Sequence, residues 1–407
     1  SYRYDGDRLS GITTGSTSYG FTYGPFGLTE SISVGGQTLA EYNYSEDYLY
    51  LTSVDYGNGD SVEYTVDEDG RVTAKTYEDN DTVTYEYDND GALSVMKDSA
   101  SGTTTRYFYD LSGRLSKYTE STGTDVHSVA YVYNERNQLS KLDETIGGSL
   151  RRGNFYYDKD GRITQVYNEH AHLFRNYTYD GFGLTTERYT HSYGNRLLRE
   201  YFTYRNPTAS TITGQVAQHR FEATNYNAAY TYTYDENGNI TSISDGSHTT
   251  TYVYDTADQL IRENNEKGGF TYIWTYDNAG NILKREEYDY TTGTVGTPRF
   301  TAEYSYGNAD NKDILTAYDG DVIIRDEIGN PLSDGAWNYV WEHGRQLKSM
   351  SDGTITWNYT YNADGMRTSR SDGSNTYEYI YDGTRLSRMV KRENGEVSVF
   401  DFIYDAE

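Results

Sequence analysis

The sequence has 407 residues with 35 Lys and Arg against 62 Asp and Glu, a formal net charge of −27, and no Cys. That balance excludes nucleic acid and anionic membrane faces as partners, because both are bound by clustered cations that displace counterions. Absence of Cys excludes disulfides and thiolate metal sites, and no run of roughly 18 apolar residues is present to cross a bilayer as a helix.

A hydrophobic content of 35% and a mean hydropathy of −0.85 would ordinarily point to disorder. Tyrosine reverses that reading. Hydropathy scales penalise the hydroxyl of each of the 47 Tyr, although a ring buries roughly 150–250 Å². With 40 Gly, only 4 Pro and abundant Thr, the composition is that of strands punctuated by turns.

Taken in chain order, an anchor column recurs at Tyr4, Tyr23, Tyr44, Val66, Tyr87, Tyr109, Tyr133, Tyr157, Tyr179, Tyr204, Tyr234, Tyr254, Tyr276, Tyr306, Arg325, Trp341, Tyr361, Tyr381 and Tyr404. The mean step is about 22 residues, and Val66 and Arg325 hold their places by the following Asp-x-x-Gly rather than by a ring. Longer steps before Tyr234 and Tyr306 mark inserted loops. The consensus is aromatic-x-Tyr-Asp-x-x-Gly-Arg/Asn-Leu/Ile. It runs through Tyr87, Asp88 and Gly91, through Tyr109, Asp110, Gly113 and Arg114, and through Tyr157, Asp158, Gly161 and Arg162. It continues through Tyr234, Asp235 and Gly238, through Tyr276, Asp277 and Gly280, and reaches Tyr381 and Asp382.

Rings two residues apart, such as Tyr85 and Tyr87 or Tyr252 and Tyr254, leave the same face of a strand. Asp then starts a turn in which its carboxylate accepts backbone N–H groups, and Gly supplies the positive φ of a type I turn with a bulge. Aliphatic residues such as Leu115, Ile163, Ile240, Ile282 and Leu386 resume the outgoing strand. Each repeat is therefore read as a hairpin, with rings stacking within the sheet. Nineteen hairpins imply about 38 strands and scarcely any helix. A flat sheet of that width is not expected, so the predicted fold is all-β: a long antiparallel strip, one domain over 1–407, that must spiral on itself and either encloses a space or flattens against a second layer.

The Tyr-Asp-x-x-Gly-Arg-Leu motif at this step resembles the YD repeats of bacterial RHS proteins, of the shell subunits of insecticidal toxin complexes and of animal teneurins. The run Trp341-Glu342-His343-Gly344-Arg345-Gln346-Leu347 looks like the stretch upstream of an RHS core domain. The resemblance implies a strip wound into a shell around a polymorphic C-terminal toxin. A core that plugs the shell, and in many members cuts off the tail, should then follow residue 407. The start inside a motif at Ser1-Tyr2-Arg3-Tyr4-Asp5 and the stop at Tyr404-Asp405-Ala406-Glu407 read as the ends of an excised piece, with an export leader upstream.

Candidate chemistry is sparse. Gly-x-Ser-x-Gly, His-Glu-x-x-His and phosphate-loop motifs are absent from the sequence, and no cofactor is called for. His170 and His172, beside Glu169, would share a strand face at a spacing that ligates transition metals, though an ordinary polar face or loop is the stronger reading. Asp67-Glu68-Asp69-Gly70, Asp88-Asn89-Asp90-Gly91 and Asp158-Lys159-Asp160-Gly161 are too short for a calcium loop. Trp274, Trp337, Trp341 and Trp357 are the candidates for a sugar platform. Arg71, Arg114 and Arg162 are expected to pair with an acid of a neighbouring repeat. The function expected is a non-catalytic shell segment of a secreted or cell-surface protein, whose partners are its own core domain and C-terminal toxin. The alternative is a cell-surface adhesin that grips a glycan or receptor.

Overall fold

A computed structural model of the protein describes residues 1–205 and 214–404. Asp405, Ala406 and Glu407, which close the last motif, lie outside the described residues, as does most of the insertion before Tyr234. The insertion before Tyr306 falls between the strands Ile282–Asp289 and Phe300–Ser305.

Among the described residues there are 38 strands and one short 3-10 turn, Pro25–Gly27. β-branched and aromatic residues fill the strands, as in Thr103–Tyr109, with sequence TTTRYFY. Chain neighbours pair antiparallel: Thr103–Tyr109 pairs with Leu115–Thr122, which pairs with Asp125–Tyr133. At the repeat turns the register slips by one residue beside the anchor, for instance between Phe108 and Tyr109, Tyr156 and Tyr157, and Thr233 and Tyr234. That slip is the bulge the glycine turn was expected to impose.

Strands from Tyr2 to Val322 belong to an open 29-stranded sheet, and those from Ile324 to Asp401 to a nine-stranded one. The single strip is thus interrupted after Val322. There the strands Ala317–Tyr318, Asp321–Val322 and Ile324–Arg325 shrink to two residues each, in the repeat whose anchor is Arg rather than an aromatic.

Two compact units are present: Ser1–Ala130 with Thr145–Gly148 and Tyr304–Ile403, and Tyr131–Glu144 with Ser149–Glu303 and Tyr404–Glu407. Within the first, early and late repeats are laced together. The Tyr19 hydroxyl donates to Asp313 at 2.8 Å, Gln37 donates to the Glu327 carbonyl at 2.8 Å, and the Gly344 N–H donates to Asp60 at 2.9 Å. Val34, Val54, Val62, Val83 and Ile328 are among its buried apolar residues. In the second unit, Val166, Tyr177, Thr271 and Ala302 are buried, and so are the charged Glu144, Arg151 and Glu200. Full burial is rare; every residue of the strand Thr185–Ser192 is half-buried. No helix is long and apolar enough to cross a membrane among the described residues.

Candidate functional site

The recurring structure is the turn and the ring that precedes it. At Asp110 the backbone N–H donates to the Arg114 carbonyl at 2.9 Å and the Gly113 N–H returns to the Asp110 carbonyl at 2.9 Å. One carboxylate oxygen accepts the N–H groups of Ser112 and Arg114 at 2.9 and 3.1 Å, and the other accepts the Arg114 guanidinium at 2.8 Å. Asp158 makes the same set with Asp160 and Arg162, and Asp67 with Asp69 and Arg71. At Asp235 and Asp277 the side-chain amides of Asn239 and Asn281 replace the guanidinium at 3.1 and 3.0 Å. Asp88 keeps only the backbone donors, from Asp90 and Ala92.

This arrangement corrects the expectation that Arg71, Arg114 and Arg162 pair with acids of a neighbouring repeat. Each pairs with the Asp of its own turn, four residues earlier, at 2.6–2.7 Å. Closing the five-residue loop brings the guanidinium back over its own carboxylate. What reaches the neighbour is the guanidinium face: Arg71 lies over the Tyr87 ring at 4.8 Å and Arg162 over Tyr179 at 4.8 Å. The second Asp of two Asp-x-Asp-Gly turns is used likewise, Asp69 meeting Arg71 at 2.9 Å and Asp160 meeting Arg162 at 3.4 Å.

Glycine at the bulge adopts positive φ, 83° at Gly91, 75° at Gly113, 86° at Gly161, 95° at Gly238 and 94° at Gly280. At Gly280 an added Cβ would stand 3.0 Å from the Gln259 amide, so the position is constrained by space as well as by dihedral. Asn137 and Asp258 hold the same left-handed conformation in their repeats, at φ 62° and 61°. Tyr381 and Asp382 depart from the pattern. Asp382 sits in the strand Thr376–Asp382 directly opposite Arg385, leaving only Gly383 and Thr384 to make the turn.

Sequence reasoning missed the link between copies. The anchor hydroxyl donates to the backbone carbonyl at the start of the previous copy's outgoing strand: Tyr87 to Val72 at 2.7 Å, Tyr109 to Leu93 at 2.8 Å, Tyr157 to Leu139 at 2.7 Å. Tyr234 reaches Val216 at 2.8 Å, Tyr276 reaches Leu260 at 2.7 Å and Tyr381 reaches Arg367 at 2.8 Å. Where the ring changes, the donor survives: the Trp341 indole N–H reaches the Pro331 carbonyl at 2.6 Å and the Arg325 Nε–H reaches Leu315 at 2.9 Å. A signal was present in the aliphatic residue that resumes the outgoing strand, which is the acceptor for Tyr87, Tyr109, Tyr157, Tyr234 and Tyr276. Burial pushes the Tyr109 and Tyr276 hydroxyls up from their ordinary pKa, so they stay donors. Tyr109→Phe is expected to destabilise the protein by about 0.5–1.5 kcal/mol, measured by urea unfolding, since it leaves the Leu93 carbonyl without its donor.

His170 and His172 are not on a strand face. They occupy the turn between Ile163–Asn168 and Leu173–Tyr179, with His172 at φ 53° and its Nδ1 2.6 Å from the Tyr193 hydroxyl. The shared strand face is thus not formed, and the loop reading of this stretch is the one the structure bears out. The four Trp are half-buried; Trp357 lies beneath the Arg370 guanidinium at 5.0 Å, and Trp274 contacts the Tyr272 ring at 5.6 Å. A shallow cleft of about 590 Å³ is lined by Val132, Arg136, Lys141, Tyr156 and Lys159, and its one carboxylate, Asp158, is committed to its own turn.

A buried polar group sits in the second unit. Glu200 meets Arg175 at 2.9 Å and His219 at 3.3 Å, with His219 packed between Phe202 and Phe221. Burial lowers the His219 pKa below its ordinary value, and this outweighs the pull of Glu200. The folded state therefore favours neutral His219, and stability is expected to fall as pH drops from about 6.5 toward the folded pKa. Melting curves from pH 7.5 to 5 should show a slope there that flattens in His219→Gln.

The family model described as RHS Repeat matches residues 234–269, from the anchor Tyr234 through the next anchor, Tyr254. Residues 234–269 carry an RHS repeat. Turns of the same construction recur outside the match, at Asp67, Asp110 and Asp158. No curated protein matches the chain. Among solved structures it is similar to a chain of the Photorhabdus luminescens Tc holotoxin pore carrying the TccC3-D651A mutation, at 13% identity and TM-score 0.42, covering 92% of this chain and 24% of that one. A chain of TcdB2-TccC3-Cdc42 aligns at 13% identity and TM-score 0.44, covering 95% and 24%. The chain thus spans about a quarter of the length of those chains.

Proposed function

We propose that this array is a non-catalytic wall segment of an exported RHS-repeat protein, part of a shell that surrounds and isolates a C-terminal toxin. One observation carries the reading: twelve anchor tyrosines each fasten their hydroxyl to the backbone of the preceding copy. The repeat's most characteristic side chain is thereby spent on joining copies, not on a ligand. The turn carboxylates are similarly consumed by backbone N–H groups and their own Arg or Asn. A wall built this way needs no cofactor, and its stability accumulates along the array.

Limited proteolysis of the full-length natural protein tests this reading. The expected result is a C-terminal segment protected in the native protein and cleaved once the repeats are unfolded by urea. Cleavage of that segment at the same rate before and after unfolding overturns it.

A further inference from the structure

We infer that Asp79, Asp81 and His343 form a binding site for a first-row divalent transition-metal ion, with zinc as the representative. This goes beyond the wall function and does not depend on it. Asp79 and Asp81 lie in the turn between the strands Val72–Tyr77 and Thr82–Tyr87; His343 lies in the turn between Asn338–Glu342 and Gln346–Ser351. All belong to the first compact unit. The His343 Nε2 is 3.4 Å from an Asp79 oxygen and 3.9 Å from an Asp81 oxygen, and one ligand atom from each residue lies within 4.8 Å of the others. Ligands placed ~2.1 Å from a tetrahedral zinc stand ~3.4 Å apart, so only a small closure is needed.

The imidazole is held for the task. Its ring stacks on Tyr77 at 3.8 Å and its Nδ1 lies 3.2 Å from the side-chain amide oxygen Oε1 of Gln346. With the proton on Nδ1, donated to Gln346, the Nε2 lone pair faces the two carboxylates, the arrangement by which an outer partner orients a ligating histidine. The turn itself is anchored, because the adjacent Gly344 N–H donates to Asp60 at 2.9 Å. The nearby cation Lys348 is held by Glu342 at 2.8 Å. One imidazole with two carboxylates suits zinc or cobalt better than calcium, which takes six or more oxygens. Bound metal would clip an early repeat to a late one.

Tag-free protein titrated with Zn²⁺ at pH 7.5 in a calorimeter should bind one ion, and Co²⁺ should give a visible absorption band that Zn²⁺ displaces. His343→Gln and Asp79→Asn should each weaken Zn²⁺ binding at least tenfold while retaining the wild-type circular dichroism, and Ca²⁺ should not compete. Asp79 is an exposed turn residue, so its variant keeps the test valid if loss of the stacked ring disturbs folding. Absence of a stoichiometric site, equal affinity in wild type and Asp79→Asn, or displacement by equimolar Ca²⁺ overturns the assignment.

Discussion

Replacing Arg151 with Met is expected to destabilise the second unit by about 3–5 kcal/mol, and adding Glu144→Leu should recover most of that loss. Arg151 and Glu144 are each only 6% exposed, and their charged groups meet at 3.1 Å across the hairpin formed by Leu139–Ile146 and Ser149–Tyr157. The single substitution removes the guanidinium that faces a buried carboxylate, whereas the double substitution removes both desolvated charges and leaves apolar volume in their place. Hydrogen exchange of the two strands, with urea unfolding alongside, provides the measurement. A single-variant cost below about 1 kcal/mol would mean that the pair behaves as a solvated surface pair.

The second large effect is expected at Gly35. This residue and Gly36 make the turn between Thr29–Val34 and Gln37–Tyr44, both at positive φ, 57° and 91°. A Cβ on Gly35 would fall 2.1 Å from the Asp310 carbonyl oxygen and 2.5 Å from its Cα, whereas one on Gly36 meets nothing within 4 Å. Gly35→Ala must therefore displace a backbone segment as well as adopt a left-handed dihedral, at a combined cost of about 2–4 kcal/mol. Gly36→Ala carries only the dihedral part, about 1 kcal/mol. The displaced segment carries Lys312, whose N–H donates to Thr17 at 3.0 Å, so tryptic cleavage at Lys312 should accelerate in the first variant and not in the second. Equal behaviour of the two alanines would show that the contact with Asp310 is not held in solution.

Much of this molecule was legible because its information is local. The Tyr-Asp-x-x-Gly turn needs only five consecutive residues, and its dihedrals, bulge and carboxylate cap follow from Asp and Gly chemistry. The partner of Arg114 was misassigned because a strand-like picture sends it outward; the tight loop brings it back to Asp110. Tyr109 and Leu93 lie sixteen residues apart, and their contact depends on strand register, which one repeat alone does not specify. His343 and Asp79 are 264 residues apart and meet only through how early and late repeats pack, which no spacing rule encodes. The break after Val322 was foreshadowed only by Arg325, the one cationic anchor.

The tyrosine link is also directional. The acceptor always lies on the earlier copy and the donor on the later one, as with Leu93 and Tyr109 or Leu260 and Tyr276. During synthesis from the amino terminus, each finished hairpin would therefore wait for the next to emerge before its open carbonyl is sealed. Assembly of the array would then proceed as a one-way ratchet, with the youngest hairpin always the loosest.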